Sequence, residues 1–127
     1  MKLRTTHNSI RIRIRKSELN KLAEEREIRE RVNFGGQVMF SFCLKIDTSI
    51  EKVNGSFKNG DLVVSLPGKI AQTWIATNQV SIEENRALED GEHLHLLIEK
   101  DFPCTDREEE DKSDTFFELV PDKPEAC

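Results

Sequence analysis

The sequence lacks the motifs that most often reveal an enzyme or a metal protein. It has no glycine-rich loop for phosphate, no Gly-x-Ser-x-Gly nucleophile motif and no zinc-ligand spacing. Its three cysteines, Cys43, Cys104 and Cys127, are odd in number and form no Cys-x-x-Cys pair. These absences favour reduced thiols over a disulfide framework and leave the function open.

Long apolar runs are also missing. The start of the chain has no apolar core of the kind found in signal peptides, and no run is long enough to span a bilayer. We therefore expect a cytoplasmic protein that has no membrane partner. Nothing in the sequence indicates a cofactor.

Charge is plentiful but unevenly distributed. Charged residues make up 34% of the 127 residues, and the net charge is −5. Residues 1–31 carry ten Lys and Arg against five acids, whereas residues 101–127 carry three against ten. The two ends should therefore attract one another. A chain of this length can bury a core of its own, and a single domain is the natural expectation.

The stretch from Asp61 to Glu83 predicts a strand, a helix and a second strand. The apolar run Leu62–Leu66 ends at Pro67, which suits the first turn of a helix. The spacing of the next apolar residues puts one face of that helix in the core, with Trp74 as a core residue. Val80 and Ile82 then alternate with polar residues, as in a half-buried strand.

Period-two alternation predicts further strands. Ile10, Ile12 and Ile14 alternate with arginines, residues 38–46 alternate cleanly, and Leu94, Leu96 and Ile98 form the inward face of a last strand. Ser17 is the predicted N-cap of a first helix. Turns are predicted at His7-Asn8, Gly35-Gly36 and Asn59-Gly60, and a polar loop at Glu84–Gly91.

The two halves of the chain share one hydrophobic pattern. A constant offset of 52 places Ile10 on Leu62, Leu22 on Trp74 and Ile28 on Val80. We therefore predict an α+β fold with a tandem ββαββ pseudo-repeat. It has about eight strands in a mostly antiparallel sheet or partial barrel, and two short helices. The predicted domain spans residues 1–114, with halves near 1–48 and 49–102, and residues 115–127 form a C-terminal tail.

Arginines at alternate strand positions are the first candidate site. Planar guanidinium groups suit phosphate or carboxylate ligands because they donate paired hydrogen bonds. The opposing interpretation is a solvated sheet face on which nearby glutamates pair with the arginines. The candidate anion-binding residues are Arg11, Arg13, Arg15, Arg29 and Arg31.

A second candidate site lies on the last predicted strand. His93, His95 and Glu99 share one face, and a His-x-His pair on a strand can chelate a transition metal. The sequence places no further ligand near them, so a plain polar strand face is the competing interpretation.

The acidic stretch Asp101–Asp114 is the third candidate. Clustered carboxylates can hold Mg²⁺ or Ca²⁺, but the EF-hand spacing is absent. A solvated acidic segment is the alternative.

Three segments together are similar to a known family. They are NSIRIRIRKSELNKL near the start, VSLPGKIAQTWIATNQV in the middle, and LLIEKDFPC followed by REEEDKSD. They resemble a family of small bacterial proteins that is classed only as a domain of unknown function. The resemblance implies a small bacterial cytoplasmic protein and supplies no activity, cofactor or catalytic residue.

The sequence thus favours a non-enzymatic binding or interaction module, whose partner would be an anionic small molecule or a protein. One alternative is a phosphate-binding protein or metal-dependent phosphohydrolase that uses the arginine face. A nucleic-acid binder is disfavoured, because the acidic C-terminal residues would compete for the same arginines and no aromatic residues lie between them.

Overall fold

The computed structural model describes residues 1–103, 114 and 116–119. It contains eight strands, two helices and a short 3-10 turn at Phe117–Leu119. The first half consists of β1 (Lys2–Thr6), β2 (Ser9–Ile14), α1 (Lys16–Glu25), β3 (Glu27–Asn33) and β4 (Met39–Asp47). The second half consists of β5 (Asn54–Lys58), β6 (Asp61–Pro67), α2 (Gly68–Ala76), β7 (Ser81–Ala87) and β8 (His93–Lys100).

The strands form two four-stranded mixed sheets and no closed barrel. Sheet A has the order β1-β2-β8-β7, and sheet B has the order β3-β4-β6-β5. Each sheet joins one hairpin from each half of the chain through a parallel pair, β2 with β8 in sheet A and β4 with β6 in sheet B. The α+β class and the ββαββ pseudo-repeat are therefore confirmed.

The core lies between the apolar faces of the sheets and the two helices. Alternate residues of β2 point inward, so Ile12 and Ile14 are buried while the intervening arginines face outward. Leu44, Val64 and Ile98 fill the central strands in the same way. The predicted core position of Trp74 is also confirmed, because its side chain is fully buried.

The start of α1 differs from the prediction. Arg15, not Ser17, is the N-cap residue, and Glu18 at the third helical position accepts a hydrogen bond from the Arg15 backbone N–H at 2.9 Å. The glutamate supplies the capping contact from inside the helix, so a serine cap two residues later is unnecessary. In α2, Pro67 is the N-cap as well as the last residue of β6.

The constant offset of 52 is wrong after the helices. Ile10 pairs with Leu96 across the parallel strands, and the equivalent pair in sheet B is Leu62 with Phe42. The offset is therefore 52 for the first hairpin and 54 for the second. The reason is that four residues, 77–80, separate α2 from β7, whereas Arg26 alone separates α1 from β3. Because α2 is also one residue shorter than α1, the offset rises by two.

The predicted loop at Glu84–Gly91 is also partly wrong, because β7 continues to Ala87 and pairs with β8 over its whole length. Val80 precedes β7 and is exposed. None of the helices in the part of the chain that the structure describes is long and apolar enough to cross a membrane.

Candidate anion-binding site

Four cations lie together on the outer face of the β1–β2 hairpin. The antiparallel register pairs Lys2 with Arg13 and Arg4 with Arg11. Paired residues on one face of a sheet have Cβ atoms only about 5 Å apart. The hairpin therefore brings two rows of like charges side by side, and we call these four residues the basic cluster.

Glu99 on the neighbouring strand β8 binds two members of the basic cluster. The Arg13 Nε donates a hydrogen bond to Glu99 Oε1 at 2.8 Å, and the Arg11 Nε lies 3.6 Å from the same oxygen. Glu99 is only 8% exposed, so this carboxylate is held among the side chains around it. Both arginines thus meet the carboxylate through the Nε edge of the guanidinium group.

The terminal amino groups of these arginines are the chemically important part of the site. Within the described residues, the Nη atoms of Arg11 and Arg13 donate no hydrogen bond. The two side chains nevertheless remain about 29% and 16% exposed. Glu99 therefore holds the two guanidinium groups side by side and leaves their Nη donors without a hydrogen-bond partner among the described residues.

Like charges lie directly opposite one another in the basic cluster, and such pairs are destabilising on a sheet. Lys2 forms an ion pair with Asp101 at 3.5 Å, and Glu99 pairs with Arg11 and Arg13. An anion bound across the hairpin would reduce this repulsion.

Sequence reasoning found Arg11 and Arg13 but missed Lys2 and Arg4. The signal was present, because the predicted turn at His7-Asn8 fixes the hairpin register that sets Lys2 beside Arg13. His7 indeed adopts a positive φ of 54° in that turn. The role of Glu99 as an arginine partner was not visible, since it depends on the parallel pairing of β2 with β8.

The other predicted arginines lie elsewhere. Arg15 is an exposed cap of α1. Arg29 and Arg31 lie on β3, in the other sheet, so the five arginines do not form one cluster. Arg29 donates to the carboxylate of Asp61, which also accepts a hydrogen bond from the Ser41 hydroxyl at 2.6 Å.

Asp61 and Cys43 are among the groups of sheet B whose pKa values are shifted. The hydrogen bond from Ser41, together with the Arg29 guanidinium, holds the pKa of Asp61 below its ordinary value. Burial raises the pKa of the Cys43 thiol, although the nearby Arg29 opposes this effect. A buried thiol with a raised pKa is a poor nucleophile at neutral pH.

The predicted metal ligands are spread along β8. His95 shares a hydrogen bond between its Nε2 atom and Glu83 Oε1, and Glu99 binds the arginines. His93 lies at the exposed start of the strand. In residues 1–103, 114 and 116–119, no group of three or more His, Cys, Asp or Glu side chains is placed to hold a metal ion.

Most of the acidic candidate lies outside the described residues. This applies to Cys104 and to residues 105–113, and also to Cys127. The structure describes only Asp101, Phe102 and Pro103 at its beginning and Asp114 at its end.

A separate groove of about 970 Å³ lies between the helices and the β4–β5 connection. Ile46, Ile50 and Ile75 are among its apolar lining residues, and Arg26 and Lys69 are among its polar ones. Its volume is typical of pockets that bind small molecules. It contains none of the site residues predicted from the sequence.

The comparisons with known proteins agree with the resemblance seen in the sequence. No curated protein and no solved structure matches this chain. The model of a family described as a family of unknown function, DUF7009, covers residues 1–119, and the chain therefore belongs to that family.

Proposed function

We propose that this protein is a non-enzymatic binding module whose basic cluster recognises a small polyvalent oxyanion, such as a phosphate ester or a polyphosphate. The observation that carries the proposal is the arrangement of Arg11 and Arg13. Glu99 holds both by their Nε edges, both side chains remain partly exposed, and within the described residues their Nη atoms donate no hydrogen bond. Planar donors fixed in this way match the oxygen atoms of phosphate.

The number of cations supports the same function. A binding site for a polyvalent anion needs more than one positive charge, and the register of the hairpin places four cations on one face. The carboxylate of Glu99 also orients the arginines before the ligand arrives. Pre-ordered side chains lose less conformational entropy on binding, which improves affinity.

The non-enzymatic part of the proposal rests on the reactive groups present in the described residues. The thiol of Cys43 is buried and has a raised pKa. The His95 ring contacts the Glu83 carboxylate, and within the described residues neither of these side chains forms a hydrogen bond with a hydroxyl or a thiol. A bacterial, cytoplasmic location also belongs to this proposal, and the reduced Cys43 thiol is consistent with it.

The test is calorimetric titration of the purified chain with tripolyphosphate and pyrophosphate at low ionic strength. We expect Arg13→Gln to weaken the affinity for tripolyphosphate at least tenfold, because a charged hydrogen bond to a bound anion contributes about 1.5–3 kcal/mol. Affinity should also fall as salt is added, since screening weakens exposed charges.

Arg31→Gln is the matched control. It removes the same charge from an exposed strand position in the other sheet, and we expect it to bind tripolyphosphate within about twofold of the parent, as the small effect of a distant surface charge predicts. Equal losses in both variants would show a nonspecific charge effect and contradict the proposal. Absence of binding by the parent chain would also contradict it.

A further inference from the structure

The end of the β3–β4 hairpin exposes an unusual amount of apolar surface. Phe34 and Val38 are 68% and 60% exposed in its loop, and Val32 precedes them on the same strand face as the core residues. Phe57 on β5 is 66% exposed and lies 6.4 Å from Phe40, measured between ring centroids. We define the apolar tip as Val32, Phe34, Val38, Phe40 and Phe57.

The equivalent hairpin of the second half, β7–β8, shows whether the fold itself requires the residues of the apolar tip. The equivalent β7–β8 loop has the same backbone hydrogen bond, because Leu88 N–H donates to Glu92 O as Phe34 N–H donates to Val38 O, both at 2.8 Å. At equivalent positions, however, Val32 is replaced by Arg86 and Val38 by Glu92. The hairpin fold therefore does not need apolar residues at the positions of Val32 and Val38. Exposed apolar residues that the fold does not require indicate a binding surface.

The charge around the apolar tip is positive. The nearest acids, Glu30 and Asp61, are already paired with the Met1 ammonium group and with Arg29. Within the described residues, the neighbouring Arg31 and Lys58 form no ion pair, so their positive charges remain. Two apolar tips brought together would place these cations against one another. A better partner is apolar and acidic.

The chain itself contains such a segment. Phe116 and Leu119 are each 73% exposed; Phe116 precedes the 3-10 turn Phe117–Leu119, and Leu119 is its last residue. They belong to residues 101–127, in which ten acids outnumber three Lys and Arg residues. Because Phe34, Val38 and Phe57 of the apolar tip and these two side chains remain exposed within one copy, they do not cover one another in that copy.

We propose that the apolar tip of one copy binds the Phe116–Leu119 segment of a second copy. The chain from Pro103 to Phe116 can span at most about 45 Å, which is enough to reach a neighbouring molecule. If each copy exchanges its segment with the other, the interaction closes as a symmetric dimer with two equal contacts. This inference is independent of the basic cluster and of the ligand proposed there.

Sedimentation equilibrium over a range of protein concentrations tests the proposal. We expect the parent chain to dimerise, and we expect Phe34→Ser and Leu119→Ser each to weaken the dimer at least fivefold. Leu88→Ser is the matched control, because Leu88 occupies the position equivalent to Phe34 in the other hairpin and is 39% exposed. It should leave the association unchanged.

A mixture of the two weakened variants tests directly whether the apolar tip of one chain binds the C-terminal segment of the other. The Phe34→Ser chain keeps an intact C-terminal segment, and the Leu119→Ser chain keeps an intact apolar tip. Together they should form one complete contact and associate more strongly than either variant alone. A parent that stays monomeric at about 1 mM, or a loss in Phe34→Ser without a loss in Leu119→Ser, would overturn the proposal.

Discussion

Glu18 links the start of the chain to the first helix. Its carboxylate accepts hydrogen bonds from the Met1 ammonium group and from the Arg15 backbone N–H, and the same ammonium group donates to Glu30 at 2.8 Å. Partial burial alone would raise the pKa of Glu18, but these hydrogen bonds outweigh it and the pKa is lowered. Burial alone would lower the pKa of the Met1 ammonium group. Its contacts with the carboxylates of Glu18 and Glu30 outweigh this effect, and the pKa is raised.

These shifts define a pH window for stability. The lowered pKa of Glu18 gives stabilisation that is present above its ordinary value of 4.5 and is lost as the pH falls through the folded-state pKa. The raised pKa of the Met1 ammonium gives stabilisation that is present below 8.0 and is lost as the pH rises through its folded-state pKa. Both contributions operate together between these two values.

We predict that Glu18→Gln lowers the free energy of unfolding by about 1 kcal/mol near neutral pH, the usual cost of losing a capping contact. The difference from the parent should shrink as the pH is lowered below 4.5, because the parent carboxylate then becomes protonated. Urea unfolding at several pH values measures both effects. The exposed Glu24→Gln serves as control, and a gap that stays constant with pH would refute the assignment.

At the scale of single residues, the sequence identified the outward face of β2 but not the partners on it. Alternation alone placed Arg11 and Arg13 opposite the buried isoleucines. Their contact with Glu99 depends on a parallel pairing across 86 positions of sequence, which no local pattern encodes. The same long-range pairing makes Glu99 an arginine partner, although its spacing from the two histidines had suggested a metal ligand.

Equivalent positions in the two helices hold buried side chains of different sizes. Leu22 in α1 and Trp74 in α2 are both fully buried at the offset of 52. The larger tryptophan needs a hydrogen-bond acceptor for its indole N–H, and the Val80 carbonyl accepts it at 2.9 Å. That carbonyl belongs to the longer connection after α2, which has no counterpart after α1.

We therefore predict that Trp74→Phe destabilises the protein by about 2–3 kcal/mol, because it removes both the hydrogen bond and part of a buried ring. Trp74 is the single tryptophan, so unfolding should be followed by far-ultraviolet circular dichroism instead of fluorescence. Ile70→Val, at an exposed position of the same helix, should cost less than about 0.5 kcal/mol. Equal costs would show that the indole contact contributes nothing specific.

Among the elements, apolar alternation predicted the central strands well and the ends of the edge strands poorly. The second part of β7 was missed because its inward residues there are Glu84 and Arg86. Both are half-buried, and Arg86 donates a hydrogen bond to Oδ1 of Asn54 on β5 at 2.6 Å. Pairing with β8, not hydrophobic burial, specifies the strand at this point.

On the scale of the whole molecule, the predicted single domain of residues 1–114 has a direct test. Both parallel pairs join strands from different halves, so neither half can complete a sheet alone. We predict that residues 1–48 and 49–102, expressed separately, show no cooperative thermal unfolding. Mixing them should restore it, as judged by circular dichroism. A cooperatively folded isolated half would contradict the prediction.

Because each sheet combines hairpins from both halves, the strands of the two sheets become available at different stages of synthesis. The four strands of sheet B come from one continuous stretch, residues 27–67, and can all pair once that stretch has left the ribosome. Sheet A requires its first hairpin to join strands that end at Lys100, nearly ninety positions later. The β1–β2 hairpin is therefore synthesised first but is among the last elements to pair with the strands that complete its sheet.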